Sequence, residues 1–93
     1  MIKEKSKPKK AEDLKIINHI GTLYITFDGT DIWRIDRVAC GILRMCDGKK
    51  TVKEIIRGVA EKAGLEPRDV KKIVLEILEE LKKKKFIVFK EKA

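Results

Sequence analysis

The 93-residue chain has few of the side chains on which enzyme chemistry depends. It contains no glutamine, and serine, asparagine and histidine occur once each, as Ser6, Asn18 and His19. Nucleophilic catalysis needs a base beside a serine or cysteine nucleophile, but the only serine stands in the charged N-terminal stretch. No glycine-rich loop precedes a predicted helix in the way that a phosphate-binding site requires. The sequence therefore predicts a protein without catalytic residues and without a bound cofactor.

The cysteines form neither a disulfide nor a metal-binding motif in the predicted structure. Cys40 and Cys46 are six residues apart on one predicted helix, so about 9 Å along the helix axis and roughly 240° around it separate them. This separation is too large for a disulfide. No C-x-x-C motif occurs, and His19 stands alone in a predicted strand. We expect both thiols to be small buried apolar groups, and we expect no metal site.

Long apolar segments are also missing from the chain. No run of 18 apolar residues occurs, and no apolar segment after the charged N terminus resembles a signal peptide. We therefore expect a cytoplasmic protein with no membrane association. Charged residues make up 41% of the chain, with lysine, glutamate and isoleucine prominent. This composition is of the kind found in thermophiles.

The length suits one small domain with charged ends. Residues 1–13 contain five lysines and three acids with little apolar surface, so we expect a flexible tail there. The predicted domain covers residues 14–90, and residues 91–93 form a second tail. The net charge of +8 is concentrated at the ends, because residues 14–81 contain twelve basic and eleven acidic side chains.

Three short apolar runs, separated by turn residues, predict an antiparallel meander of three strands. The runs are residues 15–20, 22–27 and 31–36. Odd-numbered positions of the second run are apolar and should face the core. Pairing odd with odd positions also places Trp33 and Ile35 on the core face, whereas a one-residue slip would place Arg34 there. This register requires a turn of odd length around Gly29, such as a three-residue loop with a glycine bulge.

Helical periodicity follows the meander, and residue types typical of helix ends mark three helices. The helices are predicted at residues 37–46, 52–63 and 67–84, and a closing strand at residues 86–89. Asp36 suits an N-cap, Thr51 and Glu54 form a capping box, and Gly64 suits a helix end. The inward residues of the third helix are predicted to be Val70, Ile73, Val74, Ile77, Leu78 and Leu81. The prediction is an α+β, winged-helix-like fold, with a three-stranded antiparallel meander, three helices and a short C-terminal strand.

A sheet with three helices suggests winged-helix DNA binding as one function. The third helix would then enter the DNA groove, yet its exposed face carries Glu76, Glu79 and Glu80. These carboxylates would repel the phosphate backbone. DNA binding is therefore the alternative function, and nucleic acid is not the favoured partner.

A second function uses the free edge of the third strand, with which an extended peptide can pair. Each backbone hydrogen bond contributes roughly 0.5 to 1.5 kcal/mol, whereas ordering each residue costs about 1 to 2 kcal/mol. Apolar pockets must supply the remaining free energy. Leu75 is not needed for the core stripe and lies on the same side as Lys71 and Lys82, so it is a candidate pocket wall. A single exposed leucine without a function is an equally good interpretation.

Residues 15–89 resemble the PqqD-like family in the order and spacing of short motifs. The matching positions are Ile35-Asp36, Ile42-Leu43, Cys46-Asp47-Gly48, Thr51, Glu54-Ile55 and Asp69-Val70. The chain departs from the family pattern at Asp36, where asparagine is usual, and both residue types can cap a helix.

The resemblance implies a RiPP recognition element, which is a non-catalytic peptide-modification chaperone. Such a protein binds the leader segment of a ribosomally made precursor peptide and presents the peptide to a modifying enzyme, often a radical SAM protein. In the family, the peptide lies between the third strand and the third helix. By position, the implied contacts are Asp31, Ile32, Trp33 and Arg34 on the strand, and Lys71, Val74, Leu75 and Leu78 on the helix. The sequence leaves the peptide, the enzyme and the choice between monomer and dimer open.

Overall fold

A computed structural model describes residues 2–89 and has an α+β fold. The elements are β1 (Pro8–Lys10), β2 (Lys15–His19), β3 (Thr22–Thr26), β4 (Ile32–Ile35), α1 (Arg37–Met45), α2 (Val52–Ala63), α3 (Pro67–Lys83) and β5 (Ile87–Phe89). Strands β2, β3 and β4 form one antiparallel sheet in that order, and β1 pairs with β5. The predicted meander, three helices and closing strand are confirmed, while the winged-helix likeness stays a prediction. Residue 90 and the tail predicted at residues 91–93 lie outside the described residues.

The meander has the register that side-chain alternation predicts. Leu23 pairs with Ile35, and Ile25 pairs with Trp33, so these odd-numbered side chains share one face of the sheet. Ile25 is buried in the core on this face. The register keeps Arg34 on the opposite face, as expected from its charge.

Residues 27–31 form the loop between β3 and β4, so its odd length is confirmed, although it is longer than three residues. The Thr26 hydroxyl donates a hydrogen bond to the Asp31 carbonyl at 2.7 Å and accepts one from the Gly29 amide at 2.9 Å. The Asp28 carboxylate accepts from the Asp31 amide at 3.0 Å. This bond, with others from nearby amides, lowers the pKa of Asp28 to about 2. The loop therefore positions the start of β4 by hydrogen bonds.

The predicted capping residues stand at the start of α1 and at both ends of α2. Asp36 caps α1 by accepting a hydrogen bond from the Ala39 amide at 2.7 Å. The Thr51 amide donates to the Glu54 carboxylate at 2.8 Å, and the Glu54 amide donates to the Thr51 hydroxyl at 3.2 Å. Gly64 ends α2 with a φ of 70°, which glycine adopts without strain. The predicted capping of α1 and α2 is confirmed.

The core contains one apolar stripe of α3. Val70, Val74, Leu78 and Leu81 are buried along this stripe, and Val74 and Leu78 have no exposed surface. Ile73 was predicted to face inward as well, but 54% of its surface is exposed. The inward face of α3 is therefore rotated from the one that the sequence predicts, and the rotation decides which side chains reach the surface beside β4.

Both cysteines are free thiols and both are buried, as expected. The Cys46 thiol donates a hydrogen bond to the Ile42 carbonyl at 3.2 Å. Burial, and then the charge of Asp47, raises the pKa of Cys46 to about 12. A thiol with such a pKa is almost entirely protonated at neutral pH and is a poor nucleophile.

The N-terminal stretch differs from the flexible tail that its composition predicts. Strand β1 pairs with β5, and Pro8 is buried. The carbonyls of Glu4 and Ser6 accept hydrogen bonds from the amides of Lys53 and Val52, at 3.0 and 2.9 Å. These amides stand in the first turn of α2, where they have no acceptor within the helix. Backbone hydrogen bonds therefore order the stretch, and the amino-acid composition does not predict such bonds.

The turn between α1 and α2 depends on Asp47. Its carboxylate accepts hydrogen bonds from the amides of Lys50 and Lys49, at 2.9 and 2.8 Å. These bonds hold the pKa of Asp47 well below its usual range. Gly48 follows with a φ of 79°, and a Cβ there would lie 3.3 Å from the Lys9 side chain. The Asp47-Gly48 pair thus has a structural role between two helices.

Deleting residues 1–10 should lower the free energy of unfolding by roughly 2 to 4 kcal/mol. The deletion removes several backbone hydrogen bonds, each of which contributes about 0.5 to 1.5 kcal/mol. Urea unfolding of the full and truncated chains measures the difference. Lys5→Glu with Lys7→Glu changes only exposed charges and should shift the value by less than about 0.5 kcal/mol. A truncated chain as stable as the full one would show that the stretch is not part of the fold.

Asp47 should make stability depend on pH in the acid range. Its pKa is lower in the folded than in the unfolded chain, where it is about 3.9, so its stabilisation is complete above about pH 5 and decreases as the pH falls further. Asp47→Ala should lower the melting temperature at neutral pH. Between neutral and acid pH, the melting temperature of this variant should fall less than that of the wild type. Circular dichroism melts across the pH range test this. Asp13→Ala is the control, because Asp13 is an exposed side chain in the turn between β1 and β2. An unchanged pH profile in Asp47→Ala would contradict the role given to Asp47.

Candidate peptide-binding cleft

Strand β4 is at one edge of the meander. It pairs with β3, and in the part of the chain that the structure describes no strand pairs with its other edge. An edge strand presents free backbone amides and carbonyls to which an extended chain can hydrogen-bond. The predicted free edge of the third meander strand is therefore confirmed.

A cleft of about 330 Å³ opens between β4 and α3. Its strand side includes Trp33, Arg34 and Ile35, and its helix side includes Ile73, Glu76, Ile77 and Glu80. Ile73 has 54% of its surface exposed and Trp33 has 38%, so apolar surface is open to solvent on both sides. A ligand that enters the cleft would contact apolar side chains and the backbone edge together.

Three aromatic rings cluster near the C-terminal end of α3, and two of them, Trp33 and Phe86, line the cleft. The Trp33 and Phe86 ring centroids lie 5.3 Å apart in an edge-to-face arrangement. Phe27 lies 5.8 Å from Phe86 and 6.4 Å from Trp33, measured between ring centroids. Such aromatic pairs contribute about 0.5 to 1.5 kcal/mol beyond their buried area. Trp33 is therefore held in place by packing on one side and offers its other side to the cleft.

The α3 side of the cleft carries acidic side chains. Glu76 and Glu80 line it one helical turn apart, and neither forms an ion pair within residues 2–89. Arg34 and Lys84 also line the cleft, nearer the strand and the end of α3. Positive groups on a ligand are therefore favoured along the middle of α3.

Two of the predicted strand-side residues line the cleft. Trp33 and Arg34 do so, whereas Ile32 is not among the residues that line it. Arg34 lies at the cleft although its side chain is on the face of the sheet opposite Trp33. Asp31 stands in the loop before β4, where its backbone groups hydrogen-bond to Thr26 and Asp28. A peptide would meet Asp31 only if it extended beyond the start of β4.

The predicted helix-side residues are not among those that line the cleft. Val74 and Leu78 are fully buried in the core, so they support the cleft from beneath. Lys71 forms an ion pair of 2.9 Å with Glu4 of the N-terminal stretch. Contact between these side chains and a peptide stays a prediction that the shape of the cleft does not support.

Leu75 also lies away from the cleft, contrary to the pocket wall that the sequence suggests. It is partly buried against the core and lies about 160° around the helix axis from Ile73. Ile73 and Ile77 take the place expected for Leu75. Ile73 and Ile77 lie on one side of the buried apolar stripe of α3, and Leu75 lies on the other side. The sequence of the stripe does not show which of these two sides faces β4. The four-residue spacing of Ile73 and Ile77 was the only signal in the sequence.

Phe86 is a further cleft residue that sequence analysis did not identify. It was assigned to the closing strand, but it precedes β5 and its amide hydrogen-bonds to the Leu81 carbonyl at 2.9 Å. This bond turns the chain back beneath α3 and places the ring beside Trp33. No local pattern predicts that contact, because the two rings are far apart in the sequence.

The cleft offers apolar surface, a backbone edge and charged groups. Across residues 2–89 no group of three or more His, Cys, Asp or Glu side chains is placed to hold a metal ion. None of the helices described is long and apolar enough to cross a lipid bilayer.

A free strand edge beside an apolar cleft is the arrangement with which peptide-binding domains add a strand to a sheet. The family model described as Coenzyme PQQ synthesis protein D (PqqD) matches residues 21–87, and the chain belongs to this family. Proteins of the family are non-catalytic, peptide-binding, chaperone-like components of the biosynthesis of PQQ and other ribosomally made peptides. No curated protein and no solved structure matches the chain.

Proposed function

We propose that the cleft binds the leader segment of a ribosomally made precursor peptide and presents that peptide to a modifying enzyme of the radical SAM type. The observation that carries the proposal is the free edge of β4 directly beside the apolar cleft. The leader adds to β4 as an extra strand. The chain contributes binding and orientation in the cytoplasm, and the enzyme contributes the cofactor and the chemistry.

Apolar anchors of the leader determine the affinity. Backbone pairing with β4 contributes roughly 0.5 to 1.5 kcal/mol per hydrogen bond, which does not exceed the cost of ordering the peptide. An aliphatic or aromatic side chain between Trp33 and Ile73 would bury the exposed surface of both. Full burial of one such side chain contributes about 1.5 to 3 kcal/mol. One or two anchors are enough to make binding favourable.

The charges of the cleft indicate a further property of the leader. Glu76 and Glu80 have no ion-pair partner in the described chain, so a lysine or arginine of the leader can pair with them. The same carboxylates, with the exposed Glu79, disfavour insertion of α3 into a DNA groove. The charge on α3 thus supports a peptide ligand over DNA.

Ile73→Ala should weaken leader binding by roughly 1 to 3 kcal/mol, which is about five- to a hundredfold in affinity. The melting temperature should change little, because Ile73 is half exposed in the free protein. Calorimetry with synthetic leaders of the precursor peptides encoded beside the gene measures the affinity.

Leu75→Ala is the matched control on the opposite flank of α3. It should lower the melting temperature, because Leu75 packs against the core, and leave leader affinity unchanged. The reverse result, with Leu75→Ala weakening binding and Ile73→Ala not, would move the binding site to the other flank.

Trp33 is the only tryptophan, so its fluorescence reports on the cleft. A bound leader should shift its emission to shorter wavelength, because the exposed part of the indole becomes buried. Duplex DNA should neither shift the emission nor change the mobility of a labelled duplex. Tight, salt-tolerant and sequence-selective DNA binding, without any response to leader peptides, would favour the winged-helix alternative.

A further inference from the structure

A second groove lies between α1 and α2. It has a volume of about 340 Å³, and its apolar lining includes Val38, Met45, Val59 and Ala63. Val38 has 55% of its surface exposed. The groove therefore presents apolar surface that the described chain does not cover.

Basic side chains border this groove. Arg37 and Lys62 line it, and Arg37 and Arg44 line an adjoining hollow along α1. Among the described residues that line the two depressions there is no aspartate or glutamate. Arg37, Arg44 and Lys62 form no ion pair within residues 2–89. The positive charge around the groove is therefore available to an acidic partner.

Gly41 lies at the centre of this surface. It lines both depressions and stands in the middle of α1, where glycine is a poor helix former. A Cβ at this position would meet no atom within 4 Å. The packing of the described chain therefore does not require glycine here. The missing side chain leaves the backbone of α1 open to close approach from outside.

The groove and the leader cleft are separate surfaces. None of the residues that line the groove also lines the cleft. Ala39 on α1 faces the cleft, whereas Val38 and Gly41 face the groove. One occupant can therefore bind each surface without displacing the other.

We propose that the groove between α1 and α2 docks an acidic amphipathic helix of a partner protein. Apolar side chains of that helix, spaced three and four residues apart, lie over Val38 and Gly41. Its aspartates and glutamates pair with Arg37, Arg44 and Lys62. The further statement that this partner is the modifying enzyme rests on the proposed function, because an adaptor must hold the leader and the enzyme together.

Partners rich in phosphate fit the groove less well than an acidic helix. DNA phosphates need hydrogen-bond donors and positive charge, and they gain nothing from the apolar floor. A lipid surface does not enter a narrow groove between two helices, although its headgroups would attract the same arginines. The combination of an apolar floor and a basic rim matches a helix that has both an apolar stripe and acidic flanks.

The test uses two synthetic peptides of about 18 residues that share one leucine stripe, flanked by glutamates in one and lysines in the other. The ¹⁵N-labelled full chain is titrated with each peptide. The glutamate peptide should shift amide resonances of α1 and α2 and should bind at least about tenfold more tightly than the lysine peptide. Gly41→Leu should lower the affinity for the glutamate peptide by about tenfold, or about 1.4 kcal/mol. Gly41→Ala, which also favours the helix, should raise the melting temperature and still weaken binding.

Charge variants separate the groove from general electrostatic attraction. Arg37→Glu with Arg44→Glu should lower the affinity for the glutamate peptide by about tenfold. Arg57→Glu, which lies outside the groove, should change this affinity by less than about twofold. Leader binding in the cleft should be unchanged in all these variants. If the glutamate peptide does not bind the groove while the leader binds the cleft, this proposal alone is overturned. If the wild-type chain binds the glutamate peptide but no leader, the proposed function alone is overturned.

Three results would overturn the acidic-helix proposal. One is equal binding of the two peptides, or binding of neither. Another is binding that both Gly41 variants leave unchanged. The third is tighter binding of duplex DNA or of phosphatidylglycerol vesicles at the same amides, which would assign the surface to phosphate groups.

Discussion

The burial of a single apolar stripe on α3 determines most of this structure. Helices α1 and α2 and strand β5 all contact α3. Because Val74 and Leu78 are completely buried, the helix cannot rotate about its axis without opening the core. The orientation of α3 that buries these two residues also places Ile73 and Ile77 at the cleft. The candidate site is therefore a border of the core, and its geometry is as rigid as the packing beneath it.

Local patterns predicted those features that depend on neighbouring residues. The pairing of Ile25 with Trp33 follows from strand alternation, and the capping box of Thr51 and Glu54 follows from helix-end chemistry. The orientation of α3 was not predictable in this way, because Ile73 and Leu75 flank one stripe. Only the position of β4 in the folded chain decides which of them lines the cleft.

Two other features depend on contacts between distant parts of the chain. The carbonyls of Glu4 and Ser6 satisfy the first turn of α2, yet charged side chains in that stretch predict disorder. The family motif around Asp47 lies at the turn between α1 and α2. The motif thus identifies the family through a structural turn, and the cleft residues have to be taken from the folded chain.

The pairing of β1 with β5 has a mechanical consequence. Pro8 stands directly opposite Phe89 in the antiparallel ladder, so the outer ends of the two strands lie side by side. A force that pulls these outer strand ends apart separates one residue pair at a time, first Pro8 from Phe89, then Lys9 from Val88, and last Lys10 from Ile87. Strands loaded in this peeling geometry resist much less than strands that must slide past each other. Because Glu4 and Ser6 precede β1, tension on the N-terminal end first breaks their hydrogen bonds to the amides at the start of α2 and only then reaches this ladder.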